Sequence, residues 1–255
     1  MKSKVNLVLV LTLCVLNGCI NMQYIKPSGS IVTESHAVNS FDKVVVEGSF
    51  DVYISNGEQS FETKTYENIQ EHIKYSVSNN ELRIRLDRNV QLWGHHDIDV
   101  YISSDLINKV SISGSVDCDF HNYETDAMTI KASGSSEVEG RISAASIDID
   151  ASGSSDCSLS VNCTNLKTKA SGSSDFEYEG YARTHNADLS GSSEIEAFDL
   201  ESSHLKLTAR GSFEGEVWVR ESMDINLSGS SILRYKGHPQ ITQKVSGSSR
   251  IHNSN

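Results

Sequence analysis

The chain has 255 residues, of which 37% are hydrophobic and only 7% aromatic, with 2 prolines beside 17 glycines. So few large side chains exclude a bulky aromatic core and point to aliphatic residues laid down in many thin layers. The balance of 22 Lys and Arg against 34 Asp and Glu, a net charge of −12, argues against nucleic acid as a partner and makes anionic lipid headgroups repulsive.

Residues 1–18 begin with Lys2 and Lys4, run through an apolar stretch and end at Leu16-Asn17-Gly18, directly before Cys19. The stretch is too short to span a bilayer and reads as a signal peptide. Leu three residues before a Cys, with Gly just before it, resembles the lipobox, in which the Cys is acylated and the chain is cleaved ahead of it. Cys19 is then the lipid attachment site, and the membrane is reached through this N-terminal lipid. Cleavage removes two basic residues and leaves 20 basic against 34 acidic side chains, or −14. Residues 19–37 read as a polar, lipid-anchored tether.

Residues 38–109 read as a small α+β cap with hairpins and one short helix. Residues 41–46 and 50–55 alternate as strands, Asn56-Gly57 is a hairpin turn, and residues 61–65 return. Residues 66–75 place Tyr66, Ile69 and Ile73 on one helical face, and Leu82, Ile84 and Leu86 resume strand alternation after Asn79-Asn80. Glu47-Gly48-Ser49-Phe50 echoes Gly211-Ser212-Phe213, so the cap itself starts with a decorated rung. His95-His96-Asp97 reads as a solvated loop, because adjacent strand residues point to opposite faces and chelate poorly.

Residues 110–255 repeat. Ser-Gly-Ser-Ser stands at 133–136, 152–155, 171–174, 190–193, 228–231 and 246–249, with degenerate copies at 113–116 and 210–213. The marker glycines are therefore 114, 134, 153, 172, 191, 211, 229 and 247, spaced by 18 to 20 residues. Apolar residues recur four and two positions before each glycine and four after it, with Ser, Lys, Asp and Glu between, which is the alternation of strands with one buried face. Each rung of about nineteen residues thus offers two short strands around a Gly-Ser corner, and it is too thin to bury its own apolar face without neighbours. The prediction is an all-β, single-chain parallel β-solenoid, continuous with the cap, whose eight rungs make a rod of roughly 35–40 Å.

With this lipobox, the opening Phe41-Asp42-Lys43-Val44 to Gly48-Ser49-Phe50-Asp51-Val52, the helix near Ile69 and the Ser-Gly-Ser-Ser series, the chain resembles the putative auto-transporter adhesin family with the head GIN domain. The resemblance runs over roughly residues 38–252 and implies a right-handed β-helical body. It also implies an exported protein of Bacteroides-like bacteria, lipid-anchored in the cell envelope at the outer membrane. It brings no catalytic or ligand residues; only the lipid-bearing Cys19 is carried over.

Three columns invite a chemical reading. Three residues after each glycine stand Asp117, Glu137, Asp156, Asp175, Glu194 and Glu214, before the series breaks at Ile232 and Arg250. Stacked carboxylates repel, so this candidate metal column could take Ca²⁺ or face a cationic, glycan or protein ligand, although the bland reading is a solvated face. Cys118 and Cys157 share a rung position with Val138 between them, about 9–10 Å apart, so no disulfide is expected there; Cys163 falls in the variable turn 162–164. Trp93, Trp218, Tyr178 and Tyr235 could stack on sugars, but Phe176, Tyr178 and Tyr235 sit at or near core columns, and packing is the assignment. The serines have no Gly-x-Ser-x-Gly elbow and no His at a fixed offset, so they read as corner formers. The expected function is a non-enzymatic adhesin-like or scaffold module of the cell envelope. The alternatives are a β-helical carbohydrate-active enzyme and a self-associating scaffold, a homo-oligomer joined through the C-terminal rung at Arg250-Ile251-His252.

Overall fold

The computed structural model describes residues 22–94 and 96–255. The expected signal peptide and the expected lipid attachment site Cys19, with His95, lie outside the described residues. Strands β1 (Gln23–Ile25) and β2 (Ile31–Ser35) precede β3 (Lys43–Ser55). Then come β4 (Ser60–Tyr66), α1 (Glu67–Gln70), β5 (Ile73–Ser78), β6 (Glu81–Leu86), β7 (Val90–Leu92) and β8 (Asp99–Ser103). Six long strands follow: β9 (Lys109–Gly134), β10 (Glu137–Gly153), β11 (Asp156–Gly172), β12 (Asp175–Gly191), β13 (Glu194–Gly211) and β14 (Glu214–Gly229). The chain ends with β15 (Ile232–Lys236), β16 (Gln240–Val245) and β17 (Arg250–Asn253).

β9 spans more than one solenoid turn and each strand from β10 to β14 most of one, paired in parallel with the turns on either side. The register follows the repeat: Gly153 lies opposite both Gly134 and Gly172, and Ile149 opposite Ile130 and Thr168. Residues two and four before the glycine, and four after it, are buried in every regular rung, as with Ile149, Ala151 and Cys157. Each buried aliphatic side chain contributes on the order of 1.5–3 kcal/mol, but only because rungs above and below exclude water from it.

The corner chemistry follows from close approach. Gly172 has φ +104°, and a Cβ there would stand 2.5 Å from the carbonyl oxygen of Gly153. At the regular corners Ser136 and Ser155, both buried, donate from Oγ to the carbonyls of Ser133 and Ser152 at 2.9 Å, satisfying hydroxyl and bend together. The degenerate copy is compensated: Phe213 replaces the inward serine and is buried, and a Cβ on Gly215 would lie 2.3 Å from its ring. Gly215 gives up a core side chain to make room for Phe213.

β3 is a full rung. Its whole length pairs in register with β9, with Gly48 opposite Gly114 and Phe50 opposite Val116. Its first half is covered by β6, to which β5 pairs antiparallel across Asn79 and Asn80, both at positive φ (53° and 59°) as a type I′ turn requires. Its second half is covered by β8, then β4, then β2.

Three expectations change. Asn56-Gly57 does not join a two-stranded hairpin, because β8 lies between β3 and β4; Asp51-Val52-Tyr53-Ile54-Ser55 pairs instead with its copy Asp99-Val100-Tyr101-Ile102-Ser103. The helix is four residues long, not ten: Tyr66 gives no side-chain cap, and residues 73–78 pair as β5, which buries Ile73 from a strand. Cys163 is not in a turn but in β11, buried between Ala144 and Ala182.

Candidate functional site

The acidic series forms one continuous column along the outer side of the sheet. Asp117, Glu137, Asp156, Asp175, Glu194 and Glu214 are register partners in turn, and the column extends beyond the repeats through Asp51 to Asp99. Two residues further along each rung runs a second outward column: Tyr101, Tyr53, Asp119, Glu139, Ser158, Glu177, Glu196 and Glu216. Among the described residues, the two columns meet paired counter-charge at their ends. Lys64 pairs with Asp99 at 2.8 Å at one end, and Arg234 reaches Glu214 at 2.5 Å and Glu216 at 3.6 Å at the other.

The field between those ends shows in the carboxyl groups. Burial first, and then Asp117 and Asp99, raise the pKa of Asp51. Glu137 is raised by burial and then Asp117, Asp156 by burial and then Asp175, and Glu194 by burial and then Glu196 and Glu214. Two shallow cavities lie on this face. One of about 310 Å³ is lined by Glu137, Asp156, Asp175 and Glu194. The other, about 450 Å³, is lined by Asp119, His121, Glu139, Arg141 and Glu179.

The opposite outer face treats charge differently. There Lys131, Asp150, Lys169 and Asp188 are successive register partners, Asp148 faces Lys167, Lys206 faces Asp224, and Arg210 bonds Asp188 at 2.8 Å. Opposite charges directly across a ladder stabilise and like charges destabilise by roughly 0.2–1 kcal/mol. The same rungs therefore alternate charge on one face and stack like charge on the other.

Tyr53 and Tyr101 stack with ring centroids 5.0 Å apart and planes at 16°, each more than a third exposed. Their faces meet each other, so edges and hydroxyls are what a ligand would touch. The sequence reading missed this pair, although the repeated Asp-Val-Tyr-Ile-Ser was its signal. Of the aromatics singled out from sequence, Tyr178 is buried, Trp93 is exposed, and Trp218 carries the Lys236 ammonium 4.9 Å from its ring centroid.

The core holds one polar cluster that periodicity did not reveal. Thr168 Oγ1 is hydrogen-bonded to Tyr178 at 3.1 Å and to His185 Nε2 at 3.0 Å, all buried. Burial pulls His185 down to about 4. Cys118, Cys157 and Cys163 are free and buried, and burial pushes Cys157 and Cys163 up to about 12, which disfavours their thiolate forms. Among the described residues, no group of three or more His, Cys, Asp or Glu is placed to hold a metal ion.

The family model described as putative auto-transporter adhesin, head GIN domain matches residues 40–179 and 137–239. A solved structure of a putative lipid binding protein from Parabacteroides distasonis is similar with a TM-score of 0.85 at 21% identity, covering 91% of this chain and 100% of that one. A putative adhesin from Parabacteroides merdae is similar at 0.83 and 19%, covering 91% and 99%. A putative adhesin from Bacteroides fragilis is similar at 0.71 and 23%, covering 90% and 99%. Identities this low carry the fold. No curated protein matches the chain.

Proposed function

The chain belongs to the putative auto-transporter adhesin, head GIN domain family, and we propose that it is a non-enzymatic, lipid-anchored envelope module whose acidic face makes adhesin-like contacts. The observation that carries this reading is the unbroken carboxylate column from Asp51 to Glu214, in a fold whose rungs alternate charge at Lys131, Asp150, Lys169 and Asp188 on the other side of the corner. Like charges one rung apart cost stability, so the column is retained for something outside the fold. Carboxylates at a regular spacing of about 4.8 Å suit repeated cationic groups or the hydroxyls of an extended glycan.

The same geometry disfavours hydrolysis. Glycoside cleavage needs two carboxylates in contrasting environments flanking one bond. Here Glu137, Asp156 and Glu194 all have their pKa raised, for the same leading reason, along one ladder. At the corners Ser136, Ser155 and Ser231 donate to backbone carbonyls, and the buried Ser174 and Ser193 hydroxyls have no partner among the described residues, so no base stands beside any of them.

The test is binding of the body, residues 22–255, to a glycan array and to oligolysine, in EDTA and in Ca²⁺. Saturable binding that falls about ten-fold or more in Asp156→Asn, Asp175→Asn, Glu194→Gln is expected. Dependence on Ca²⁺ would make a cation the bridge. Silence in both buffers, or binding indifferent to the three substitutions, would sink the reading, and release of cleaved sugar would replace it with an enzyme.

A further inference from the structure

At its C-terminal end the solenoid stops on strands with one open side. Among the described residues, β16 pairs only with β14, and β17 only with β15. The backbone N–H groups of Ser246, Arg250 and Ser254 donate back to Leu227, Ser231 and Tyr235 at 3.0, 2.8 and 2.8 Å. Successive residues of a strand turn their N–H and C=O to opposite sides, so those of Ile241, Gln243, Val245 and Ile251 face away from the fold. The core columns also run out here. Ile241 stacks on Met223, Val245 on Leu227 and Ile251 on Leu233, yet Ile241 and Val245 are 38% and 39% exposed on their other side.

Charge is the second feature of this end. Residues 225–255 contain Arg234, Lys236, Lys244 and Arg250 and no Asp or Glu, in a chain of net charge −12. Arg234 is held by Glu214, and Lys236 lies over Trp218. Lys244 and Arg250 stand exposed on the last rung, beside the open backbone.

We propose that this end is a docking edge for an acidic, extended polypeptide segment, which adds as a strand to β16. Its backbone takes the outward hydrogen bonds, its apolar side chains cover Ile241 and Val245, and its carboxylates meet Lys244 and, past the corner, Arg250. Charge decides between occupants. A second copy joined tail to tail by a two-fold axis brings two ends together that both carry Lys244 and Arg250 and no Asp or Glu, which is repulsive. A lipid surface or another polyanion satisfies the charge but not the strand edge. The proposal stands apart from the acidic-face reading, because it uses none of those carboxylates.

The experiment titrates the full chain, in detergent, with an octapeptide of alternating Glu and Val labelled for fluorescence anisotropy, and with its Lys-Val counterpart. Binding of the acidic peptide alone is expected, weakened about ten-fold by Lys244→Glu with Arg250→Glu. Gln243→Pro should abolish it, since the lost N–H points outward and holds nothing in the fold; an unchanged melting temperature confirms that each variant is folded. Equal binding of both peptides, or of neither, overturns the proposal. So does self-association of the chain alone that Gln243→Pro removes, which gives the edge to a second copy. Binding to phosphatidylglycerol vesicles as tightly as to the peptide, indifferent to Gln243→Pro, overturns it in favour of a lipid surface.

Discussion

Gly94 and Gly172 have nearly the same backbone, at φ +96° and +104°, but very different surroundings. Nothing lies within 4 Å of a Cβ built on Gly94, whereas one built on Gly172 meets the Gly153 carbonyl at 2.5 Å and its nitrogen at 3.0 Å. Gly94→Ala should cost only the left-handed strain of about 1–2 kcal/mol. Gly172→Ala adds a clash that two hydrogen-bonded rungs cannot relieve separately, for a total of about 3–5 kcal/mol. Denaturant midpoints of the two variants decide the matter, and equal losses would mean that close stacking is not what the corner glycines serve. Those glycines were legible in the sequence because every corner meets the same obstacle. The compensation at Phe213 was not, because only the ring lying where a side chain at 215 would be explains the glycine at that core position.

The carboxylate column and the buried His185 are elements of opposite sign in the pH dependence of stability. Asp51, Glu137, Asp156 and Glu194 have pKa values raised in the fold, chiefly by burial. The folded state therefore favours their protonated forms, and stability is greatest below the ordinary carboxylate range and is lost as pH rises through the raised values. His185 is depressed from 6.5 to about 4. Its contribution is present above 6.5 and is lost as pH falls towards 4, by about 3 kcal/mol in all. His185 stands between Leu166 and Leu205 in register, so His185→Leu completes a leucine column and leaves Thr168 bonded to Tyr178. Urea midpoints of the native chain should decline from pH 6.5 to 4, whereas those of His185→Leu should hold and then rise as pH falls through the raised carboxyl values. A parallel decline in both would remove His185 as the cause. The column was legible from its fixed offset to the glycines. Its extension through Asp51 and Asp99 was not, because residues 56–98 interrupt the spacing and only the register joins the two copies. The buried cluster escaped because Thr168 and His185 occupy core positions that carry Ile and Leu in neighbouring rungs.

At the scale of the rod, each rung touches only its neighbours, so the molecule should lengthen without redesign wherever the register is unbroken. β11 meets that condition on both sides, since its pairing with β10 and with β12 shows no shift, whereas the β9–β10 and β12–β13 pairings contain irregularities. A tandem duplication of residues 154–172 preserves the corner sequence at both joins and adds about 4.8 Å to the rod. It also brings like onto like. Cys157 and Cys163 would each lie one rung from their own copies, within the Cα separation of roughly 4.4–6.8 Å that a disulfide spans. In the native chain Cys118 and Cys157 are held apart by Val138, and all three described thiols are free. The duplicated chain should fold, scatter as a longer rod and form cross-links under oxidising conditions that the native chain does not form, as thiol counting will show. A folded, lengthened chain whose thiols all stay free would mean that the inserted rung does not stack in register, and nearest-neighbour stacking would then be too simple a description of what holds the rod together.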